Sequence, residues 1–326
     1  MINSQDIFTI SSQKQFEKIA LKVFRFQHEN NLVYREFCDY LNVDKQAVKS
    51  LNQIPFLPIQ FFKSRDVVSN SDAVQETFTS SGTTGMITSK HLVTDVSLYE
   101  ESYRIAFSDF YGNIQDYVVL ALLPSYLERS GSSLIYMVKD LIELSNNENS
   151  GFYLHNYDEL ITKLVELDNA GQNVILIGVT YALLDLVEKQ KFQLKNTIIM
   201  ETGGMKGKRK EMIREELHEI LCDGFGVQNI HSEYGMTELL SQAYSLGNGV
   251  FECPAWMQIL TRDTEDALTY VDYGKTGGIN VIDLANINSC SFIATQDLGK
   301  KYPNNSFEVL GRFDNSDIRG CNLMVL

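Results

Sequence analysis

The chain has 326 residues, of which 44% are hydrophobic and 21% charged, as in an ordinary soluble globular protein with one large core or two modest domains. Its formal net charge of -14 argues against general nucleic-acid binding, because an acidic surface repels phosphate backbones. No stretch approaches the roughly 20 apolar residues of a membrane span. The first residues lack the pattern of a secretory signal, and the five cysteines are scattered without a CxxC pair. We therefore expect a cytoplasmic protein with no membrane span.

The predicted elements alternate between strands and helices. Apolar residues at spacings of three and four predict helices within 12–50, and two prolines predict a loop over 51–62. A strand ends at 77–80 and leads into a glycine-containing loop. Further helices are predicted at 96–110, 132–144, 157–170, 181–189 and 209–221, and strands at 117–123, 174–179 and 197–201. This alternation predicts an α/β fold with layered parallel or mixed sheets flanked by helices.

The tail of the chain, from about residue 251, breaks into short β-like pieces separated by turns. We therefore predict two units. Residues 1–250 form an α/β core that carries a phosphate loop, and residues 251–326 form a smaller β-rich subdomain that completes a nucleotide site.

The loop after the first predicted strand consists of Ser80, Ser81, Gly82, Thr83, Thr84 and Gly85. Two glycines three positions apart allow the backbone to turn with its N–H groups pointing inward, and the hydroxyls add donors. This arrangement suits phosphate oxygens, although the Walker A spacing is absent. Taken alone, the loop is also compatible with a plain surface turn.

Polar groups suited to a nucleotide follow in order downstream, beginning with the segment Tyr234, Gly235, Met236, Thr237 and Glu238. Tyr234 offers a ring that can stack on a base, Thr237 a hydroxyl for a phosphate and Glu238 a carboxylate for Mg²⁺. Asp297 offers acceptors for ribose hydroxyls, and Arg312 adds a cation near ribose or phosphate. The ordered set favours a nucleotide site over a plain turn.

This ordered set resembles the adenylate-forming superfamily of acyl-CoA synthetases, luciferases and peptide-synthetase adenylation domains. More narrowly, the chain resembles the acyl-protein synthetases of bacterial bioluminescence operons. The stretches that carry the narrower likeness are 54–59, 61–63, 123–129, 201–207 and 317–323. The resemblance implies the large N-terminal domain of the adenylate-forming fold without the usual C-terminal domain, and it implies ATP and Mg²⁺ as cofactors.

The same resemblance implies roles for individual residues. Residues 80–85 would bind the β- and γ-phosphates, while Gly203 and Gly204 would border the adenine. Tyr234 would pack on adenine with Gly235 and Met236 in the same motif, and Thr237 would touch the α-phosphate. Glu238 would ligate Mg²⁺, and Asp297 would hold the ribose with Arg312 nearby. Cys321 would carry the acyl group, and we add Ser125 and Tyr126 as residues of the acyl pocket.

Two departures from the superfamily pattern affect the expected transfer step. Many members place a lysine two residues after the phosphate loop, but here Lys90 lies farther along and its role is left open. The chain also ends fifteen residues after Gly311, where relatives continue into a further domain. This favours a nearby thiol or a partner protein, such as a reductase, over free coenzyme A as acceptor. Cys321 follows Arg319, whose charge favours a thiolate, although a free cysteine is more often a packing residue.

Three functions are therefore compatible with the sequence. The first is ATP-dependent activation of a carboxylic acid, expected to be a fatty acid, with transfer to a protein cysteine. The second is an acyl-CoA ligase resembling phenylacetate–CoA ligase. The third is a non-catalytic nucleotide-binding or partner-docking protein that has kept the fold.

Overall fold

The chain folds into an α/β structure, and the computed structural model describes residues 2–80, 88–127, 130–205, 208–210 and 212–313. The helices in these ranges are α1 Ser4–Phe8, α2 Gln13–Asn30, α3 Leu32–Tyr40, α4 Phe61–Ser64, α5 Val96–Tyr111, α6 Pro124–Leu127, α7 Ser133–Ser145, α8 Tyr157–Asn169, α9 Thr180–Lys189 and α10 Arg214–Phe225. The strands are β1 Leu57–Pro58, β2 Glu76–Thr79, β3 Lys90–Val93, β4 Val118–Leu122, β5 Gly151–Tyr153, β6 Val174–Val179, β7 Thr197–Thr202, β8 His231–Tyr234, β9 Ala243–Ser245, β10 Val250–Phe251, β11 Met257–Arg262, β12 Thr276–Asp283, β13 Phe292–Lys301 and β14 Phe307–Arg312. The α/β class predicted from the sequence is confirmed.

A six-stranded sheet in the order β5-β4-β6-β7-β8-β9 forms the first layer. Its strands are parallel except for β9, which runs antiparallel to β8. Every residue of β4 and β6 is buried, as expected for parallel strands that are covered on both faces. The carboxyl ends of β4, β6, β7 and β8 meet at one edge, which is where open α/β sheets place their ligands.

The second large sheet is mostly antiparallel and has the order β10-β14-β13-β12-β11. Strand β1, from the N-terminal part of the chain, extends it by pairing in parallel with β13. A separate hairpin of β2 and β3 pairs Thr79 with Lys90, so the loop between these strands is the predicted phosphate loop. The division of the chain at residue 250 stays a prediction.

Most element bounds agree with the sequence pattern, but α10 begins five residues later than the prediction of 209–221. Its N-cap Ile213 is extended, and the helix begins at Arg214. Glu215 and Glu216 then fall in its first turn, where the helix dipole favours negative charge. Upstream, Arg209 pairs with Asp185 and Glu188 on α9 rather than joining the helix.

Among the described residues, the buried hydrophobic side chains form a core cluster that includes both large sheets, and Trp256 is its largest fully buried member. Within the described ranges, no helix combines the length and the apolar character that a membrane crossing requires.

Candidate active site

The carboxyl edge of the first sheet carries the two glycines predicted to border adenine. Gly203 follows β7 with a φ of 69°, a left-handed conformation that favours glycine, and its carbonyl accepts a hydrogen bond from the Thr180 hydroxyl at 3.0 Å. A Cβ atom added at Gly204 would meet nothing within 4 Å. The backbone at Gly204 therefore faces open space, which leaves room for a flat ligand.

The two ends of the phosphate loop are joined at its base. The Ser80 N–H donates to the Ser89 carbonyl at 3.1 Å, and the Ser89 N–H donates to the Ser80 hydroxyl at 2.9 Å. Lys90 follows as the exposed first residue of β3. The other predicted loop residues lie outside the described residues: Ser81, Gly82, Thr83, Thr84 and Gly85.

Glu238 lies against this base. Its carboxylate is buried, and burial raises its pKa, while a hydrogen bond from the Ser89 side chain lowers it. The cationic groups of Arg312 and Lys63 act in the same direction as that hydrogen bond. The structure thus brings a buried carboxylate, two cations and the root of the phosphate loop together, although they are far apart in the sequence.

The turn that follows Glu238 is fixed by side chains from the second sheet and its connections. Asn286, in a short 3-10 helix, donates to the main-chain carbonyl of Glu238 at 2.8 Å. Asp283, at the end of β12, accepts the N–H groups of Leu240 at 2.7 Å and Ser241 at 3.1 Å. These contacts satisfy backbone groups that cannot reach water, so they hold the motif rigidly.

Tyr234, Asp297 and Arg312 form a connected group. The Tyr234 hydroxyl donates to Asp297 Oδ2 at 2.9 Å, and Arg312 Nε donates to Asp297 Oδ1 at 3.0 Å. An ionised carboxylate has about four acceptor positions, so Asp297 keeps roughly two for other donors. The ring of Tyr234 is buried, with Phe251 and Phe307 approaching edge-on at 5.9 and 5.5 Å between ring centroids. The assignment of Asp297 to ribose and of Tyr234 to adenine stays a prediction.

Glu233 explains why a glycine follows Tyr234. A Cβ atom at Gly235 would lie 2.4 Å from Glu233 Oε1, so a side chain there would displace the carboxylate. Glu233 Oε2 accepts a hydrogen bond from the Thr202 hydroxyl at 2.5 Å. Burial raises the pKa of Glu233 to about 7, the Thr202 hydrogen bond opposes the rise and the charge of Glu201 adds to it.

A small apolar cavity lies between the first sheet and the helices α5 and α7. Its lining residues are Phe107, Val119, Met137, Val138, Leu141, Ile175, Ile177, Met200 and Tyr244. Tyr244 pairs across the sheet with Glu233, so one end of the cavity adjoins the strand that carries the nucleotide motif. Tyr126, on α6, is half-buried and is not among these lining residues, and the side chain of Ser125 lies outside the described part of the chain.

The Glu238 carboxylate is suited to a Mg²⁺ ion whose other ligands are phosphate oxygens and water. Within the described ranges, no group of three or more His, Cys, Asp or Glu side chains is arranged to hold a metal ion. Mg²⁺ in nucleotide sites commonly takes one or two carboxylates and completes its shell with phosphate oxygens and water. The single carboxylate of Glu238 beside the phosphate loop is compatible with that requirement.

The sequence pattern does not indicate His91, Asn286, Asp283 or Ser89 as site residues, because each acts on the motif from a distant part of the chain and none stands in a recognisable spacing. Lys63 lies in the stretch 61–63 that carries the family likeness, but no role followed from it. Cys321 lies outside the described residues, so the structure gives no contact for it.

Comparison with solved structures shows the class of fold. The ATP-bound MatB from Rhodopseudomonas palustris is 16% identical, with a TM-score of 0.54 over 75% of this chain and 49% of that one. An open conformation of 2-hydroxyisobutyryl-CoA ligase, with its acyl-AMP and CoA, is 12% identical, with a TM-score of 0.68 over 93% of this chain and 70% of that one. The fold is that of the adenylate-forming ligases.

The family follows from the sequence comparisons. The model of the acyl-protein synthetases, LuxE, matches residues 1–326, and the chain belongs to this family. A long-chain-fatty-acid–luciferin-component ligase of Vibrio harveyi is 23% identical over 342 aligned positions, which cover 97% of this chain and 89% of that protein. A second protein of that name, from Photorhabdus luminescens, is 33% identical over 75 residues, or 23% of this chain and 64% of that one. The protein is therefore an enzyme, a ligase that activates an acyl group and transfers it to protein.

Proposed function

We propose that this enzyme uses ATP and Mg²⁺ to convert a long-chain fatty acid into an acyl-adenylate and then transfers the acyl group to a protein cysteine. The observation that carries the proposal is the placement of the Glu238 carboxylate against the joined ends of the phosphate loop, with Arg312 and Lys63 as nearby cations. The fatty acid is proposed because the long relative from Vibrio harveyi is named for that substrate. Scattered free cysteines fit a reducing cytoplasm.

The nucleotide would be held from three sides. The loop from Ser80 to Gly85 would cradle the outer phosphates, with Thr237 at the α-phosphate. Asp297 would accept the ribose hydroxyls with its remaining acceptor positions, kept in place by Tyr234 and Arg312. Glu238 would ligate Mg²⁺, which neutralises phosphate charge when it is bound. Gly203 and Gly204 would border the adenine, and the backbone at Gly204 faces open space.

The first half-reaction is a displacement at the α-phosphorus. A carboxylate oxygen of the acid forms a bond to that phosphorus while the bond to pyrophosphate breaks, and pyrophosphate carries away the electron pair. The residues of the site contribute by aligning the two reactants and by stabilising the charge that develops on the phosphate oxygens. No protein nucleophile is needed for this step.

The second half-reaction transfers the acyl group to sulfur. A cysteine thiolate attacks the acyl carbonyl, the bond to the phosphate oxygen breaks, and AMP leaves. We propose Cys321 as this nucleophile on sequence grounds, because Arg319 two residues earlier favours the thiolate. A reductase that accepts the acyl group from this thioester is the partner we propose.

We propose that the acyl chain binds at the apolar cavity beside Tyr244, whose free volume of about 10 Å³ must grow by movement of the lining side chains. Its lining residues are almost entirely apolar and project from the sheet face and from α5 and α7. A chain of methylene groups gains about 0.8 kcal/mol for each one buried, which favours long acids over short ones. A carboxylate at the end of such a chain would emerge near β8, toward the nucleotide motif.

Labelled tetradecanoic acid with ATP and Mg²⁺ tests the whole proposal. We expect a covalent acyl label on the wild-type chain that survives denaturation and is released by hydroxylamine. Cys321→Ser should abolish this label while acyl-adenylate still forms, and the matched control Cys253→Ser should keep it. Undiminished label in Cys321→Ser would overturn the assignment of the thiol. A soluble thioester formed on addition of coenzyme A, with no label on protein, would instead identify an acyl-CoA ligase.

A further inference from the structure

His91 lies on the strand that follows the phosphate loop, and its side chain contacts the Thr237–Glu238 motif. It lies on β3, two residues after Ser89, and is buried. Its Nδ1 atom lies 2.8 Å from the main-chain carbonyl oxygen of Thr237. The edge of its ring meets the ring of Phe62 on α4, with 5.7 Å between the centroids. A single side chain of the hairpin thus contacts both the motif and helix α4.

The Thr237 contact requires a specific form of the ring. A carbonyl oxygen only accepts hydrogen bonds, so this contact is a hydrogen bond when the proton is on Nδ1. Burial lowers the pKa of His91 to about 4, so the ring is neutral near pH 7 and has one proton to donate. The Nε2 atom lies 3.0 Å from Asn286 Oδ1, which also only accepts, so a neutral ring can donate to just one of the two oxygens. We assign the proton to Nδ1 because the Thr237 oxygen is the nearer acceptor, at 2.8 Å.

The neighbouring contact on the motif comes from the same partner. Asn286 donates through Nδ2 to the main-chain carbonyl of Glu238 at 2.8 Å. Two successive carbonyls of the motif are thus tied to one buried pair, His91 and Asn286. The Ser89 hydroxyl reaches the Glu238 carboxylate from the same hairpin. Loss of the His91 donor would remove this hydrogen bond from the partly buried Thr237 carbonyl, and the turn would shift to restore one.

We propose that His91 is a positioning residue for acid activation, because its hydrogen bond to the Thr237 carbonyl fixes the Thr237 hydroxyl and the Glu238 carboxylate relative to the hairpin that holds Ser89. This inference rests on the proposed function of those two residues. His91 touches neither nucleotide nor acid, so its contribution is to the alignment of groups that do. A displacement of about 1 Å in such groups can cost roughly 100-fold in rate.

Three substitutions separate alignment from packing. His91→Asn places an amide nitrogen where Nδ1 stood, because both atoms are attached to Cγ. His91→Gln places its amide one bond farther out, near the position of Nε2. His91→Leu keeps apolar bulk against Phe62 but has no donor. The measured quantity is kcat for acid-dependent ATP–pyrophosphate exchange, with KM for ATP determined in parallel.

We expect kcat to fall about 10- to 100-fold in His91→Leu, with KM for ATP changing less than about 3-fold. His91→Asn should recover to within about 3-fold of wild type, and His91→Gln should not. If the leucine variant fails to fold, comparing kcat of the asparagine and glutamine variants still separates alignment from packing. Equal activity of those two, or a folded leucine variant with wild-type kcat, would overturn the proposal.

The histidine tautomer gives a readout that does not depend on activity. Long-range ¹⁵N–¹H NMR spectra resolve the protonated ring nitrogen, and the chain has five histidines, so His91→Asn identifies the signal. We expect a neutral ring with its proton on Nδ1, and a proton on Nε2 alone would overturn the proposal. Absence of exchange in the wild type would instead refute the proposed function. The NMR result would then still test whether His91 donates from Nδ1 to Thr237.

Discussion

Glu233 should make the stability of the protein fall as the pH rises. Burial raises the pKa of this carboxyl to about 7 in the folded chain, against 4.5 for an ordinary glutamate. Between these two values the folded state binds more protons than the unfolded state, so the free energy of unfolding decreases with increasing pH. The substitution Glu233→Gln removes this ionisation and retains an oxygen that accepts the hydrogen bond from Thr202.

The size of the effect follows from the two pKa values. Each tenfold difference in proton affinity is worth about 1.4 kcal/mol, so full ionisation of Glu233 costs the fold ~3 kcal/mol, most of which develops between pH 5 and pH 8.5. Glu233→Gln should therefore be more stable than wild type at pH 8.5, by an amount that shrinks on going to pH 5.

Urea unfolding followed by tyrosine and tryptophan fluorescence, at both pH values, measures this difference. Glu219→Gln on α10 is the control, because Glu219 is exposed and its substitution removes the same charge without affecting a buried group. A gain from Glu233→Gln that is equal at pH 5 and pH 8.5, or equal to that of the control, would refute the reasoning.

Three further substitutions probe the site. Tyr234→Phe removes the hydroxyl that holds Asp297 but keeps the ring. In steady-state kinetics, KM for ATP should rise about 3- to 10-fold while kcat changes little. An unchanged KM would contradict the positioning of Asp297 by Tyr234. Asp297→Asn should raise KM for ATP about 10- to 100-fold by removing a carboxylate acceptor. The increase in KM should be smaller when 2′-deoxy-ATP replaces ATP in the assay. Ile177→Phe adds volume to the lining of this cavity of about 10 Å³ and should obstruct entry of the acyl chain. In a variant shown to be folded by circular dichroism, kcat/KM for tetradecanoate should fall at least about 10-fold in an exchange assay while kcat/KM for butyrate changes little. Equal losses for both acids would place the acyl chain elsewhere.

Local pattern was enough to predict most of the fold. The runs at 174–179 and 197–201 are short and apolar, and both are buried parallel strands, because covered strands need no polar face. The start of α10 was misplaced because Arg209 looks like a helix former in sequence, whereas in the structure it pairs with carboxylates on α9. Such a pairing depends on tertiary contacts that no local pattern contains.

The site was only partly visible in the sequence for the same reason. Tyr234, Glu238 and Asp297 stand in motifs whose order along the chain can be recognised. His91 acts on the backbone of that motif from 146 positions away, and Asp283 acts on the turn after it from 43 positions away, separations that carry no periodic signal. Residues that position others are recognised by their tertiary contacts, so the fold must be known before they can be identified.

The most direct test of the central claim is ATP–pyrophosphate exchange with and without a carboxylic acid. Our account predicts that labelled pyrophosphate enters ATP only when tetradecanoate and Mg²⁺ are present, and that Glu238→Gln lowers the exchange rate at least about 100-fold in a folded variant. Exchange that proceeds equally well without any acid, or that Glu238→Gln leaves unchanged, would contradict acid activation at this site.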